Sequence, residues 1–441
     1  MPESVNTTHA LEQITLAPVG GASGTVALPG SKSISNRALF IAALARGTTT
    51  LEGVLRADDT ERMLESLSKL GVAVEFLDRT RVRVTGCAGR VPVKHAQLFI
   101  GNAGTAARTL TALLAFAQGS YRLDGIERMR ERPIGDLLAA LRSMGAEIKC
   151  EKDEGYLPLS FSPAVCRAGR VSVRGSVSSQ YLTALLMLAP TLQTEQGLAI
   201  DIEGELISRP YVEMTVRMMR DFGVQVHETA SGYFVPPAEY RARETYRVEA
   251  DASGASYFLA LGALTGGPVT VTGVGEHSIQ GDVAFADALA QMGATVVKTD
   301  DSITVSRPAG TPLKGLTLDC TQIPDAAMTF VPMALMTEGP VRLTGIGSWR
   351  VKETDRLAAM AREMRKFGAL VEEGRDFIVA TRPSAGGLTD AVVDTYDDHR
   401  MAMSLALACC AGLKVTVNDP KCTAKTYPSF FDDFRRLVRL R

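Results

Sequence analysis

The chain has 441 residues, of which 48 are Lys or Arg and 49 Asp or Glu, so a formal charge of -1 supplies no global field to draw in nucleic acid or a membrane surface. With 46% hydrophobic and 22% charged residues, whole-chain disorder is excluded, and the length exceeds the roughly 250–300 residues at which one core usually splits, so two domains are expected. No stretch approaches about 20 uninterrupted apolar residues, and Met1–Thr15 has neither a basic nor an apolar leader region, so no membrane span or secretory signal is read and a cytoplasmic protein is expected.

Along the chain one pattern repeats six times. A short alternating strand closing on a turn residue ends at Gly53, Gly125, Gly204, Gly273, Gly345 and Asp419, at intervals of 72, 79, 69, 72 and 74 residues. After most copies an amphipathic helix ends in an apolar residue and then glycine, at Gly71, Gly145, Gly223, Gly293 and Gly368, before the next strand begins. Glycine there suits the left-handed geometry that closes a helix. The third marker is a helix that is apolar nearly all round, which predicts burial on every side. Its six copies are Ser33–Ala45, Thr105–Ala115, Ser179–Ala189, Gly254–Leu264, Asp325–Met336 and Arg400–Ala411. Buried helices sheathed by strands and outer amphipathic helices invert the usual barrel. Two globules of three βα repeats each are predicted, joined by ordered crossovers near Leu28 and Val248.

The stretches leading into these helices read, in order, PGSKSISNR, GNAGTAAR, GSVSSQ, DASGAS, IPDAAM and YDDHRM. Their Ser, Thr, Asp and Asn residues suit N-caps, which need no function to explain them. Lys32, Arg37, Arg108 and Arg400 are different, because a cation in the first turn opposes the helix dipole at about 0.3–1 kcal/mol unless an anion sits there too. The loops after the repeat strands add cations. Arg128, Arg130 and Arg132 are spaced by two before Pro133, and an extended segment would put all three on one side. Lys352 and Arg356 stand four apart on an expected helix, and Lys421 and Lys425 occupy the last loop. Together they predict a shared anion site, and anions binding there are expected to draw together globules whose cations repel.

Candidate proton carriers are fewer. Asp325 opens a buried helix behind Pro324 and Glu353 lies between Lys352 and Arg356; cations beside a carboxylate keep it ionised and able to act as a base. The plainer use of Asp325 is an N-cap. His399, beside Asp397 and Asp398, reads equally as catalytic or as packing. Cys422 next to the last lysines is expected to be a packing thiol. The seven cysteines show no C-x-x-C spacing and the five histidines no H-x-x-x-H pair, so neither a metal site nor a disulfide framework is predicted. A Walker motif fails because Ser31 separates Gly30 from Lys32.

Nine segments in order, PGSKSISNR, LFIGNAGTAAR, RMRERPIG, GSVSSQYLTALLM, SRPY, IPDAAMT, WRVKETDR, DDHRMAM and DPKCTAKTYP, resemble the 5-enolpyruvylshikimate-3-phosphate synthase family of enolpyruvyl transferases, from about Leu16 to Pro428. The resemblance implies a two-domain inside-out α/β barrel fold of six βα repeats. Residues 1–28 and 249–441 would form a discontinuous domain with repeats 4–6, and 29–248 an inserted domain with repeats 1–3. It implies transfer of the enolpyruvyl group of phosphoenolpyruvate to the 5-hydroxyl of shikimate 3-phosphate by addition and elimination through a tetrahedral intermediate. No metal and no organic cofactor are implied, nor any nucleic acid or membrane partner, and a monomer is expected. Site residues carried over are Asp325, Glu353 and Lys32 as catalytic groups. Lys32, Ser33, Arg37, Ser178, Ser179, Gln180, Ser208, Asp325, Ser348 and Lys352 match contacts to shikimate 3-phosphate. Lys32, Gly104, Arg132, Gln180, Arg356, Arg400 and Lys425 match contacts to phosphoenolpyruvate.

Two positions depart from the family pattern. Ser348 replaces the usual asparagine, which puts one hydrogen bond to the shikimate moiety in question. Thr109 stands where proline is frequent and is expected to let the Gly104 turn shift, altering the balance between phosphoenolpyruvate and the competing inhibitor glyphosate. The rival readings are the sister transferase acting on UDP-N-acetylglucosamine, for which a cysteine is expected within Glu127–Gly135 where none stands, and a non-catalytic repeat protein that binds a phosphorylated ligand.

Overall fold

The six copies of the repeat become six sheets. In the second copy, strands His95–Phe99 and Ser120–Asp124 pair in parallel, and Leu159–Ser162 and Glu147–Cys150 follow antiparallel. The crossover between the parallel strands is the Gly104–Phe116 helix, in which Gly104 through Ala115 are all buried, as a helix without a polar face must be. The computed structural model describes residues 12–192, 194–384 and 387–441. His9 and the first eleven residues of the Met1–Thr15 stretch lie outside the described residues.

The same order recurs. Arg170–Arg174 and Leu198–Glu203 pair around the Ser179–Leu188 helix, and Leu313–Asp319 pairs with Thr337–Thr344 around the fifth buried segment. Outside lie amphipathic helices such as Asp58–Lys69 and Arg356–Lys366, each with one buried stripe. The glycines that close five such helices, Gly71, Gly145, Gly223, Gly293 and Gly368, have φ of +86, +103, +86, +102 and +86 degrees. A side chain there would strain the backbone.

Two expectations need correction. The Asp325–Met336 helix is broken: 3-10 turns at Ala326–Thr329 and Ala334–Met336 flank a single α-helical turn, Phe330–Met333. Pro332 inside it has no N–H to give. The sixth copy is also more complete than the sequence suggested. Phe430–Leu437 is its amphipathic helix, and the chain's beginning supplies its antiparallel strand, Gln13–Leu16 against Val415–Asn418.

Buried apolar side chains fall into two clusters. One runs from Ile34 to Val248, and the other combines Leu16–Val26 with residues from Ala250 to Leu437. The chain passes between them twice, and each flanking strand pairs within its own half. Strand Gly24–Ala27 pairs with Val269–Thr272, while Thr245–Arg247 pairs with Arg46–Glu52 in the other cluster. The two crossings run side by side: Ser31 N donates to the Glu249 carbonyl at 2.8 Å and Asp251 N to the Pro29 carbonyl at 2.9 Å. Gly30 sits where they touch. A Cβ there would lie 1.8 Å from the Gly53 carbonyl oxygen, so no other residue fits.

Candidate active site

The starts of the buried helices meet at a cleft between the two clusters. Ser31 caps the Lys32–Leu44 helix and Ser178 the Ser179–Leu188 helix, each side chain accepting from a first-turn N–H. Lys32 and Ser33 thereby line one cleft with Ser178, Ser179 and Gln180. Arg37, one turn on, donates Nε to Thr215 Oγ1 at 2.8 Å and Nη1 to the Ser33 carbonyl at 3.0 Å. Burial pulls its pKa down to about 10. Ser208 adds to the same side, and Ser348, Asp325, Lys352 and Glu353 complete the lining from the other half. The fourth helix start is set back: Ser253 Oγ donates to Asp282, which also accepts from Tyr211 in the cleft wall.

The second helix start explains a glycine. A Cβ on Gly104 would lie 2.6 Å from Arg132 Nη2, so the bare backbone is what lets the guanidinium rest on the helix end. Arg132 is further fixed by Nη1 donating to the Asn102 carbonyl and Oδ1 at 3.1 and 3.0 Å. Arg108 lines the cleft, and its buried Nε has no acceptor among the described residues. Its Nη2 donates to the Pro133 carbonyl at 2.8 Å and so braces the turn that carries Arg132.

Six cations, Lys32, Arg132, Lys352, Arg356, Arg400 and Lys425, are interleaved with the carboxylates Asp59, Asp325, Glu353 and Asp398. Arg356 is 1% exposed and its three nitrogens reach Asp398 at 2.7 Å, Asp325 at 3.0 Å and Glu353 at 2.8 Å. Asp325 also meets Lys352 at 3.3 Å and Arg400 at 3.2 Å. Burial works against the charge on Asp325, yet Arg400, Lys352 and Arg356 outweigh it and hold the carboxylate well below its usual range. Glu353 is held low in the same way, against burial, by Arg356, Arg132 and Lys425. Burial lowers the pKa of Lys352 although Asp325 opposes the shift. Lys425 donates to Asp59 at 2.9 Å and to the Asn102 carbonyl at 3.0 Å. Two cations remain in excess, and the buried Nε atoms of Arg132 and Arg400 have no acceptor among the described residues. The cluster is therefore built to take anions.

Several sequence expectations are redrawn here. Arg128, Arg130 and Arg132 do not share a side, because Glu127–Glu131 is a short helix and only Arg132 is extended before Pro133. Arg130 binds Asp124 through two hydrogen bonds of 2.9 and 2.8 Å, and Arg128 reaches the Lys352 and Glu353 carbonyls. Lys352 precedes the helix that Arg356 begins, so the two are not a helical i,i+4 pair; both converge on Asp325 instead. Asp325 makes no cap hydrogen bond, which sets aside the plainer reading. Lys421 is exposed and paired with Glu12, away from Lys425. Burial pushes the Cys422 thiol up, as a packing cysteine requires. His399 is fully buried; burial, then Arg400 and Lys32, hold it well below its ordinary pKa, so it is neutral. Sequence reasoning missed Asp59, Tyr211 and Asp282. An aspartate in the first turn of an amphipathic helix, as Asp59 is, looks like any dipole partner.

Comparison with known proteins gives a consistent picture. Residues 17–434 match the family described as EPSP synthase (3-phosphoshikimate 1-carboxyvinyltransferase). The 3-phosphoshikimate 1-carboxyvinyltransferase of Cellvibrio japonicus is 53% identical over 97% of this chain and 100% of its own length. The protein of the same name from Laribacter hongkongensis is 54% identical with the same coverage of 97% and 100%. Among solved structures, an EPSP synthase from Acinetobacter baumannii superposes with a TM-score of 0.78 at 25% identity, covering 97% of this chain and 98% of that one.

Proposed function

This chain belongs to the EPSP synthase family, and on that premise we propose that the cleft between its two apolar cores is where the enolpyruvyl group of phosphoenolpyruvate passes to shikimate 3-phosphate. The observation that carries the placement is the cation–carboxylate cluster at the helix starts, with its surplus of positive charge. Residues 1–28 with 249–441 act as one inside-out α/β barrel of repeats 4–6, and 29–248 as the inserted one of repeats 1–3. Substrates meet between them.

Shikimate 3-phosphate lies against Lys32, Ser33, Arg37, Ser178, Ser179, Gln180 and Ser208, where hydroxyls and two cations suit a phosphate and a ring bearing hydroxyls. Ser348 and Lys352 take its other side. Phosphoenolpyruvate lies against Gly104, Arg132, Arg400 and Lys425, with Lys32 and Gln180 between the two ligands. Its anionic groups compete with Asp325 and Glu353 for Arg356 and Arg400. That competition has a chemical consequence. A carboxylate held far below its usual pKa is a feeble base, and as incoming anions take up the charge of Arg400 and Arg356, the proton affinity of Asp325 rises toward its task.

In the addition step, the 5-hydroxyl oxygen bonds to C2 of phosphoenolpyruvate while its proton passes to Asp325. C3 takes a proton from Glu353, whose proton affinity rises in the same way as incoming anions draw off Arg356, Arg132 and Lys425, with Lys352 and Lys32 stabilising the charge. Elimination returns the C3 proton to Glu353 while the C2–O bond breaks and the departing phosphate takes the proton held on Asp325, leaving the enolpyruvyl ether and inorganic phosphate. Every step is proton transfer and charge stabilisation, so no metal or organic cofactor is required. We take it to work in the cytoplasm, and a cleft lined from within one chain supports a monomer. A coupled phosphate-release assay tests the assignment. Release is expected with phosphoenolpyruvate plus shikimate 3-phosphate and not with UDP-N-acetylglucosamine; the reverse, or binding without release, would overturn it.

A further inference from the structure

Arg128 lies outside the groups that touch substrate, yet it links the two halves directly beside the reacting centre. It stands on the short Glu127–Glu131 helix, which belongs to the half built around the Ile34–Val248 core. Its Nη2 donates to the Lys352 carbonyl at 2.9 Å and its Nε to the Glu353 carbonyl at 3.0 Å, both in the other half. Those carbonyls lie in the bends between the Gly347–Val351 turn and the Arg356–Lys366 helix, where no strand ladder holds the backbone. The side chains of the same two residues reach Asp325 at 3.3 Å and Arg356 at 2.8 Å. One guanidinium therefore grips the backbone that aims two reacting groups, and it can do so only when the halves are together.

We infer that Arg128 is a positioning residue: a latch that couples closure of the cleft to the orientation of the Lys352 and Glu353 side chains. Its planar fork suits two adjacent carbonyls, and hydrogen bonds from a charged donor are about twice as strong as neutral ones. Glu131, which accepts from Arg128 Nη1 at 2.8 Å, holds the fork in register. The neighbouring arginines serve other ends, Arg130 on Asp124 and Arg132 on Asn102, so the run divides into a latch, a local brace and a ligand-facing group.

The inference rests on the placement of Lys352 and Glu353 among the reacting groups, and the experiment separates the two ideas. Trp349 is the single tryptophan of the chain, three residues before Lys352, and its indole donates to the Pro324 carbonyl at 2.7 Å beside Asp325, so its fluorescence reports on this loop. Arg128→Ala and Arg128→Lys are compared with wild type for kcat, for KM of each substrate, for melting temperature and for the Trp349 emission change on adding both substrates. Arg128→Ala is expected to lower kcat about tenfold or more, the factor commonly equivalent to one charge-assisted hydrogen bond. Its KM for shikimate 3-phosphate should stay within about threefold, its melting temperature should be unchanged, and the emission change should be blunted; Lys should recover part of both losses. A kcat within about twofold of wild type, an emission change that survives intact, or a rate loss that merely tracks a lowered melting temperature would each overturn the latch. Glu353→Gln is measured alongside. If it keeps the wild-type rate while Arg128→Ala has lost both rate and emission change, the role given to Glu353 falls and the latch stands.

Discussion

Replacing Asp325 by asparagine keeps the size of the side chain and removes both its negative charge and its ability to take a proton. Loss of a general base commonly slows a reaction by about 10²–10⁴-fold, and kcat should fall within that range. Binding should not follow. The substitution leaves Arg356 with Asp398 and Glu353, whereas the Arg400 side chain keeps, among the described residues, the Tyr257 hydroxyl at 3.3 Å. The cleft becomes more positive by one charge, so the Kd for shikimate 3-phosphate should change by less than about threefold. Stability should suffer instead, because breaking a buried ion pair from one side costs up to about 3–5 kcal/mol. Inorganic phosphate should restore part of it, about 2.7 kcal/mol at a hundred times its Kd, by occupying the freed cations. Single-turnover kinetics, equilibrium binding and urea unfolding with and without phosphate give the three readings. A kcat within tenfold of wild type, or a loss of affinity that matches the loss of rate, would refute the reasoning.

His399 should make folding pH-dependent below its unfolded pKa of about 6.5. Its folded pKa is depressed, so the unfolded chain binds the extra proton, and stability falls by about 1.4 kcal/mol per pH unit as pH drops through the window below 6.5. Urea unfolding of His399→Phe between pH 7 and 5 should lack that slope relative to wild type; equal slopes would show the imidazole to be solvated. Thr109 is buried in the Gly104–Phe116 helix, its hydroxyl donating to the Thr105 carbonyl at 3.0 Å. Thr109→Pro would remove that bond and press on the same carbonyl one turn back, at the helix end where Gly104 meets Arg132. The ratio of the glyphosate inhibition constant to the KM for phosphoenolpyruvate should therefore differ between the two proteins; unchanged ratios would end the idea.

What the sequence revealed was what repeats. Glycines at one phase and all-apolar helices at another carry their own explanation in backbone geometry and burial, so the repeating strands and the helices buried between them could be anticipated. What it concealed was partnership. The Arg128–Arg130–Arg132 spacing was read as extended because Pro133 forbids helix just before it, and that constraint does hold at Arg132 alone, where φ is −81 and ψ 125 degrees. Upstream the chain was free to turn, and each arginine found a different acceptor. Asp59 pairs with Lys425 from 366 positions away, and the Gln13–Leu16 strand joins the sheet of Val415–Asn418. Such long-range closures leave no periodic trace. The broken fifth helix failed for a local reason, since Pro332 was visible but its cost was set against an otherwise continuous apolar run.

The paired crossings at Gly30 set an order of assembly. On a ribosome that adds about 5–20 residues each second, residues 29–248 emerge as one stretch and can settle before the remainder exists. The segment from Gln13 to Ala27, although made first, finds its partners only in Val269–Thr272, Val415–Asn418 and Val438–Leu440. Gln13–Ala27 must therefore wait until Val438–Leu440 is made, so deleting Val415–Leu440 would leave these early strands without partners as well.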